Sequence, residues 1–180
     1  SELVGREAEL AALRAGADRG AADGPRVVLV RGASGLGKSA LVEAFLGELR
    51  AGEPAPMVLA GRCYPNESVP FKALDGVVDA LATELLRMRK ERAAELVPRH
   101  ASLLPVLFPT LARVEVIARA PARRHDRGDP LAQRAHAFAA LRELLLRVAE
   151  RRPLVVHIDD LHWADADSVR LLDELLAPPE

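Results

Sequence analysis

The sequence predicts an α/β fold, a mostly parallel sheet with flanking helices, and three observations carry that prediction. Arg26-Val-Val-Leu-Val-Arg31 is a short β-branched run without polar alternation, followed at once by the Gly-rich residues 32–37 and a helical pattern. Leu154-Val-Val-His-Ile158 is a run of the same kind that ends in Asp159 and Asp160. Around these runs apolar residues recur at steps of three and four, so strands alternate with helices, the order that builds parallel sheets with right-handed crossovers. Runs that lack alternation suit such a sheet because its strands are covered on both faces.

Taken in order, Leu3, Leu10 and Leu13 lie among charges, with Glu7 and Glu9 early and Arg14 late, and predict a short helix entered through Val4-Gly5-Arg6. Residues 18–25 supply a small-residue turn before the strand at 26–31. Leu41, Val42, Phe45, Leu46 and Leu49 predict a helix over 39–50, ended by Gly52 and Pro54. Met57-Val-Leu-Ala60 reads as a second strand, stopping at Gly61. Ser68 is expected to cap a long helix with Pro70 in its first turn and Phe71, Leu74, Val78, Leu81, Leu85 and Met88 on its apolar face. Prolines at 98, 105, 109 and 121 break the next stretch into short helical pieces, and 119–128 reads as a polar, basic loop. Asp129-Pro130 opens another helix with Leu131, Ala135, Phe138, Leu141, Leu145 and Val148 along one face, ended by Pro153. The third strand, at 154–158, and a last helix over 166–176 complete a single expected domain over 1–180.

With 180 residues, 49% hydrophobic and 28% charged, the chain is neither disordered nor collagen-like in composition. A single cysteine, Cys63, excludes an internal disulfide framework and any metal site of several thiolates, and it reads as a core or turn residue. The absence of an apolar run of membrane-spanning length adds to the expectation of a reducing, cytoplasmic setting without a membrane partner. Residues 87–152 carry fifteen basic against seven acidic side chains. Only Phe108 and Phe138 accompany those arginines, and both fit apolar helical faces, so direct nucleic-acid binding is not expected. Of the 25 basic residues only Lys38, Lys72 and Lys90 are lysines, which makes the position of each informative.

Gly32-Ala33-Ser34-Gly35-Leu36-Gly37-Lys38-Ser39 satisfies the spacing of Gly, four residues, Gly, Lys, then Ser or Thr. Glycines let a backbone wrap closely around phosphate oxygens, a helix starting at Lys38 offers unpaired N–H groups and its positive dipole end, and Ala40 continues that first turn. The Lys38 ammonium suits β- and γ-phosphate, and the Ser39 hydroxyl suits magnesium. Gly35 to Ala40 also fits a dinucleotide fingerprint, with Arg62 placed to accept a 2′-phosphate, but that reading explains neither Lys38-Ser39 nor the later acids. At the third strand's end, Asp159 is expected to hold magnesium through water and Asp160 to stand beside an attacking water. His157 and His162 lie close by, yet zinc usually takes three or four protein ligands, and a lone strand histidine reads as a core residue.

On these residues the chain resembles an AAA-related P-loop ATPase, and more narrowly the nucleotide-binding domain of signal-transduction ATPases with numerous domains, the STAND class found in multidomain bacterial kinases and transcriptional regulators. Leu3-Val-Gly5-Arg6-Glu-Ala-Glu9-Leu resembles its opening Gly-Arg element, residues 32–39 its Walker A loop, and Ile158-Asp-Asp-Leu-His-Trp-Ala-Asp165 its Walker B segment. Gly61-Arg-Cys-Tyr64 with Ser68-Val-Pro-Phe-Lys-Ala-Leu74 resembles the second-strand region. The resemblance implies ATP or ADP with magnesium as cofactors, Gly5 and Arg6 near the adenine, Lys38 and Ser39 at phosphate and metal, and Asp159 in the magnesium shell. Asp160 takes the place where many relatives carry Glu as base, one methylene longer, and His157 takes the place of an aliphatic residue. The class continues past this point into a sensor strand, a winged-helix lid and effector or kinase domains, so the chain is expected to be truncated after the Walker B strand and its following helix. The function expected is a nucleotide-dependent regulatory switch with slow hydrolysis that contacts those domains and homo-oligomerises on activation. A motor or loader acting on nucleic acid and a nucleotide-free interaction module are the alternatives.

Overall fold

The computed structural model describes residues 5–18, 24–65, 70–123 and 129–177. They fall into two compact units, the first comprising the residues up to Pro56 together with Leu176 and Ala177, the second spanning Met57–Leu175.

The first unit contains α1 (Glu7–Asp18) and α2 (Lys38–Ala51). Leu10 and Leu13 of α1 are buried, as are Leu41, Phe45 and Leu46 of α2. Arg14 grips Glu48 with both faces of its fork, Nε to Oε2 at 2.8 Å and Nη2 to Oε1 at 2.6 Å, which fixes α1 on α2. Gly52 ends α2 by donating to the Glu48 and Leu49 carbonyls.

The expected strand at 26–31 does not form. Residues 24–33 join no ladder among the described residues, and Val27, Val28 and Leu29 are 58%, 51% and 58% exposed. A β-branched run expresses fitness for a pleated, half-buried surface, and it becomes a strand only when a neighbour supplies the pairing. The Val28 side chain instead lies against α1, where a methyl added at Gly16 would meet its Cγ2 at 3.0 Å.

The second unit is built on a two-stranded parallel sheet. β1 (Met57–Arg62) pairs with β2 (Leu154–Asp159) in a register that sets Met57 beside Leu154 and Arg62 beside Asp159. β1 runs through Gly61 instead of stopping there, because that glycine is a packing device. A Cβ on Gly61 would meet Val77 Cγ2 and its amide N at 3.0 Å, and one on Gly76 would meet the Gly61 Cα at 2.9 Å. The two glycines therefore let α3 (Lys72–Arg87) lie directly on the strand. β2 is only half-buried, with Val156 42% exposed, so the reading of a strand covered on both faces overstates its burial.

α3 buries Leu74, Val77, Val78, Leu81 and Leu85. Its start differs from the sequence reading: Pro70 lies before the helix, and Phe71 holds the N-cap in a left-handed conformation at φ 65°. Ser68 lies outside the described residues. After α3 come α4 (Lys90–Leu96), α5 (Leu104–Leu107) and α6 (Glu115–Ala118), interleaved with 3-10 turns at Ala101–Leu103 and Pro109–Arg113. These are the short pieces that the prolines dictate. α7 (Pro130–Ala149) begins at Asp129-Pro130 as read, and buries Phe138, Leu141, Leu144 and Val148. Leu131, at 75% exposure, and Ala135 leave the buried face, because a helix of 3.6 residues per turn drifts away from a seven-residue pattern over five turns. A 3-10 turn at Leu161–Trp163 and α8 (Ala166–Leu176) complete the unit.

The core gathers Leu59, Leu74, Leu81, Leu104, Leu111 and Leu171 around Phe71, whose ring meets Phe138 edge-on at 5.4 Å and Phe108 at 5.8 Å. Cys63 is buried directly after β1. Among the described residues no helix is long and apolar enough to cross a membrane.

Candidate functional site

The candidate residues divide between the units: Gly5, Arg6 and residues 32–40 belong to the first, Asp159 and Asp160 to the second.

In the first unit the Gly-rich segment makes a turn over residues 34–37 and enters α2 at Lys38. Gly35 and Gly37 have φ values of 80° and 76°, where an L side chain is strained, and a Cβ on either would meet nothing within 4 Å. Glycine is thus required by the backbone path, and the space beside the loop is open. Gly32, Ala33, Ser34, Leu36, Ser39 and Ala40 are likewise exposed. The Lys38 stem crosses the start of the loop, its Cδ 3.7 Å from where a Gly32 Cβ would stand, and its Nζ donates to the Ala33 carbonyl at 2.9 Å. That bond uses one of the ammonium's three protons.

Arg6 ties the head of α1 to the same loop. Its Nη2 donates to the Leu36 carbonyl at 3.1 Å, and its Nη1 pairs with Glu9 Oε1 at 2.6 Å, while the Gly5 amide donates to Glu7 Oε1 at 3.3 Å. The Arg6 hydrogen bond holds the Glu9 carboxyl below its ordinary pKa. Open glycines, a 14-residue helix presenting its N-terminal end and an ammonium folded over the loop fit a phosphate chain.

In the second unit β2 ends at Asp159, and Asp160 turns the chain through a left-handed conformation at φ 53° and ψ 36°, a region Asp tolerates better than most residues. The Asp160 amide donates to Asp159 Oδ1 at 3.0 Å, and its carbonyl accepts the Trp163 amide at 3.0 Å. Arg62, the last residue of β1, sends Nε and Nη2 to the same Asp160 oxygen, Oδ2, at 3.0 and 2.8 Å. The Asp160 hydrogen bonds raise the Arg62 pKa, so its charge is held. This places Arg62 on an acid and not at a ribose phosphate. For magnesium, the Ser39 hydroxyl and Asp159 carboxylate are hard oxygen donors of the type that ion takes.

Asp165 anchors this acidic turn, and sequence reasoning missed its role. Its carboxylate accepts the amides of Phe71 at 3.4 Å, Lys72 at 3.2 Å and Ser168 at 2.8 Å, and the Ser168 hydroxyl at 2.6 Å. Ser168 Oγ in turn accepts the Ala73 amide at 3.1 Å. One carboxylate thereby caps the starts of both α3 and α8. Burial pushes its pKa up, but the bonds from the Ser168 hydroxyl and amide and from the Phe71 amide outweigh burial and leave it lowered. The Asp-x-x-Ser spacing at the head of α8 is the signal that could have revealed half of this arrangement.

The basic stretch is largely spent on local partners. Arg119 and Lys90 pair with Glu115, Arg147 with Glu143 and Arg151 with Glu95, while Arg123 Nε donates to the Arg99 carbonyl. Arg124 and Arg127 lie outside the described residues.

A family model described as AAA ATPase domain matches residues 2–180. The chain is also 30% identical over 176 residues to an uncharacterized protein of Rhizobium meliloti (strain 1021), covering 96% of this chain and 17% of that protein. The chain therefore spans about a sixth of the length of that relative. No solved structure matches.

Proposed function

Because the chain belongs to the AAA ATPase domain family, we propose that it is the ATP- or ADP-binding switch domain of a multidomain signalling or transcription-regulating ATPase of the STAND class, with slow hydrolysis. The observation that supports this most is the loop before α2: two left-handed glycines with open space beside them and Lys38 folded across the turn. The loop amides and α2 receive the phosphates, and Lys38 moves from the Ala33 carbonyl to the β- and γ-oxygens. Ser39 and, in the second unit, Asp159 are each a hard oxygen donor of the kind magnesium would take, and the ion would neutralise phosphate charge.

In hydrolysis the oxygen of a water forms a bond to the γ-phosphorus while its proton passes to the Asp160 carboxylate. The bond from the γ-phosphorus to the β–γ bridging oxygen breaks, the electron pair stays with that oxygen, and ADP and inorganic phosphate leave. One feature makes this slow: Asp160 is shorter than Glu, and a displacement of about 1 Å in such a group costs on the order of 100-fold. The relative of which the chain spans only 17% accords with a domain working inside a longer protein. Steady-state phosphate release, with Lys38→Ala as background, tests the reading: turnover below about 1 s⁻¹ is expected, and Lys38-dependent turnover well above it contradicts a slow switch.

A further inference from the structure

We propose that Arg6 is a positioning residue for the loop before α2: by holding the Leu36 carbonyl it sets the plane of the Leu36–Gly37 peptide and keeps the Gly37 amide free to receive a phosphate oxygen. The inference rests on the reading of residues 32–39 as the phosphate-binding loop and adds the side chain that shapes it before a nucleotide arrives.

Peptide geometry carries the step. The carbonyl oxygen and the amide hydrogen of one trans peptide point in opposite directions, so whatever holds the first aims the second. The Leu36 carbonyl accepts Arg6 Nη2 at 3.1 Å, and the Gly37 amide therefore points away from the guanidinium. That amide is exposed and donates to nothing among the described residues. Gly37 caps α2, its carbonyl accepting the Leu41 amide at 2.9 Å, so its own amide stands next to the first-turn amides of Lys38 and Ser39, which no carbonyl within the helix can satisfy. A peptide with glycine at 37 and another glycine at 35 has little of its own to fix its plane, because glycine takes either sign of φ with ease. The Arg6 bond supplies what the loop sequence lacks.

Arg6 is itself held in aim. Its Nη1 pairs with Glu9 Oε1 at 2.6 Å, one turn further along α1, and its carbonyl accepts the Leu10 amide at 3.0 Å. Eight residues on, about 12 Å along the helix axis, Arg14 grips Glu48 of α2. α1 is thus a splint, fixed at one end to the helix that follows the loop and at the other to the loop itself. Stability is not what this end contributes. The side chains of Arg6 and Glu9 are 41% and 43% exposed, where such contacts add little, and water would serve the Leu36 carbonyl of an exposed turn equally well.

The experiment is isothermal titration of MgATP and of magnesium tripolyphosphate, a phosphate chain without a base, into the full chain and its Arg6→Ala, Glu9→Gln and Lys38→Ala variants, with melting curves to establish folding. Arg6→Ala is expected to weaken both ligands by the same factor, about threefold to tenfold, with Tm nearly unchanged. Weaker ATP binding with unchanged tripolyphosphate affinity marks Arg6 as a contact to the base and overturns the inference, as does no change in either. Glu9→Gln separates positioning from charge. Removing a negative charge beside the loop would by itself tighten phosphate binding, whereas losing the aim of Arg6 should weaken it about twofold, so unchanged or tighter binding also overturns the inference. If Arg6→Ala does not fold, Glu9→Gln decides by that criterion. Lys38→Ala tells the two claims apart: if it binds tripolyphosphate as wild type does, or neither binds it, the reading of the loop fails and the role of Arg6 with it. If Lys38→Ala weakens binding while Arg6→Ala does not, the positioning role alone fails.

Discussion

Replacing Asp165 with alanine removes a carboxylate that serves two helix starts, and its cost can be worked bond by bond. Losing a helix N-cap typically costs about 1 kcal/mol, and Asp165 accepts from Ser168 at the head of α8 and from Phe71 and Lys72 at the head of α3. That gives about 2 kcal/mol. Ser168 is fully buried, and its hydroxyl loses its acceptor, adding up to about 1 kcal/mol. The expected sum of about 2–3 kcal/mol corresponds to a fall in Tm of about 8–12 °C for a unit of this size. Asp165→Asn, which keeps one strong acceptor oxygen, should lose about half as much. Thermal and urea unfolding followed by circular dichroism make the comparison. The sign with pH is also fixed: the folded pKa lies below the ordinary 3.8, so the stabilisation is complete above that value and fades as pH falls through the folded pKa. The gap between wild type and Asp165→Asn should therefore narrow below about pH 4. A loss under about 0.5 kcal/mol for Asp165→Ala at neutral pH refutes the double cap.

A methyl placed at the glycine that caps α2 and one placed at a glycine inside it should act with opposite sign. Gly37→Ala forces an L residue to φ 76° and should cost about 1 kcal/mol and weaken nucleotide binding, whereas Gly47→Ala, inside α2 with nothing within 4 Å, should stabilise by about 0.5–1 kcal/mol. Equal effects in melting experiments would remove the backbone argument for the loop. The basic stretch should not bind duplex DNA tightly, and mobility shifts at two salt concentrations check it; tight binding with a log–log slope steeper than about −4, lost on neutralising Arg119 and Arg123, would favour the loader alternative.

What was legible in the sequence was local. The spacing of residues 32–39, the cap-then-proline start of α7 and the bounds of α8 depend on nearby residues, and the helices appear where the pattern puts them. Features set by distant partners were not legible. Residues 26–31 carry the composition of a strand, but pairing is decided elsewhere in the chain, and they join no ladder among the described residues. Gly61 looks like a stop until Gly76 is seen lying against it. Arg62 and Asp160 are 98 residues apart, and only strand register brings them together. Leu131 falls on the apolar face by a periodicity that drifts with length, yet it is exposed.

Nucleotide binding at the loop before α2 is the claim on which the rest depends, and isothermal titration of MgATP into the wild type and Lys38→Ala tests it most directly. The Lys38 ammonium now rests on the Ala33 carbonyl, and a charge-assisted contact from it to phosphate contributes about 1.5–3 kcal/mol. The account predicts affinity weakened about 10- to 100-fold by Lys38→Ala with helical content unchanged. Equal affinity in the two proteins would contradict it.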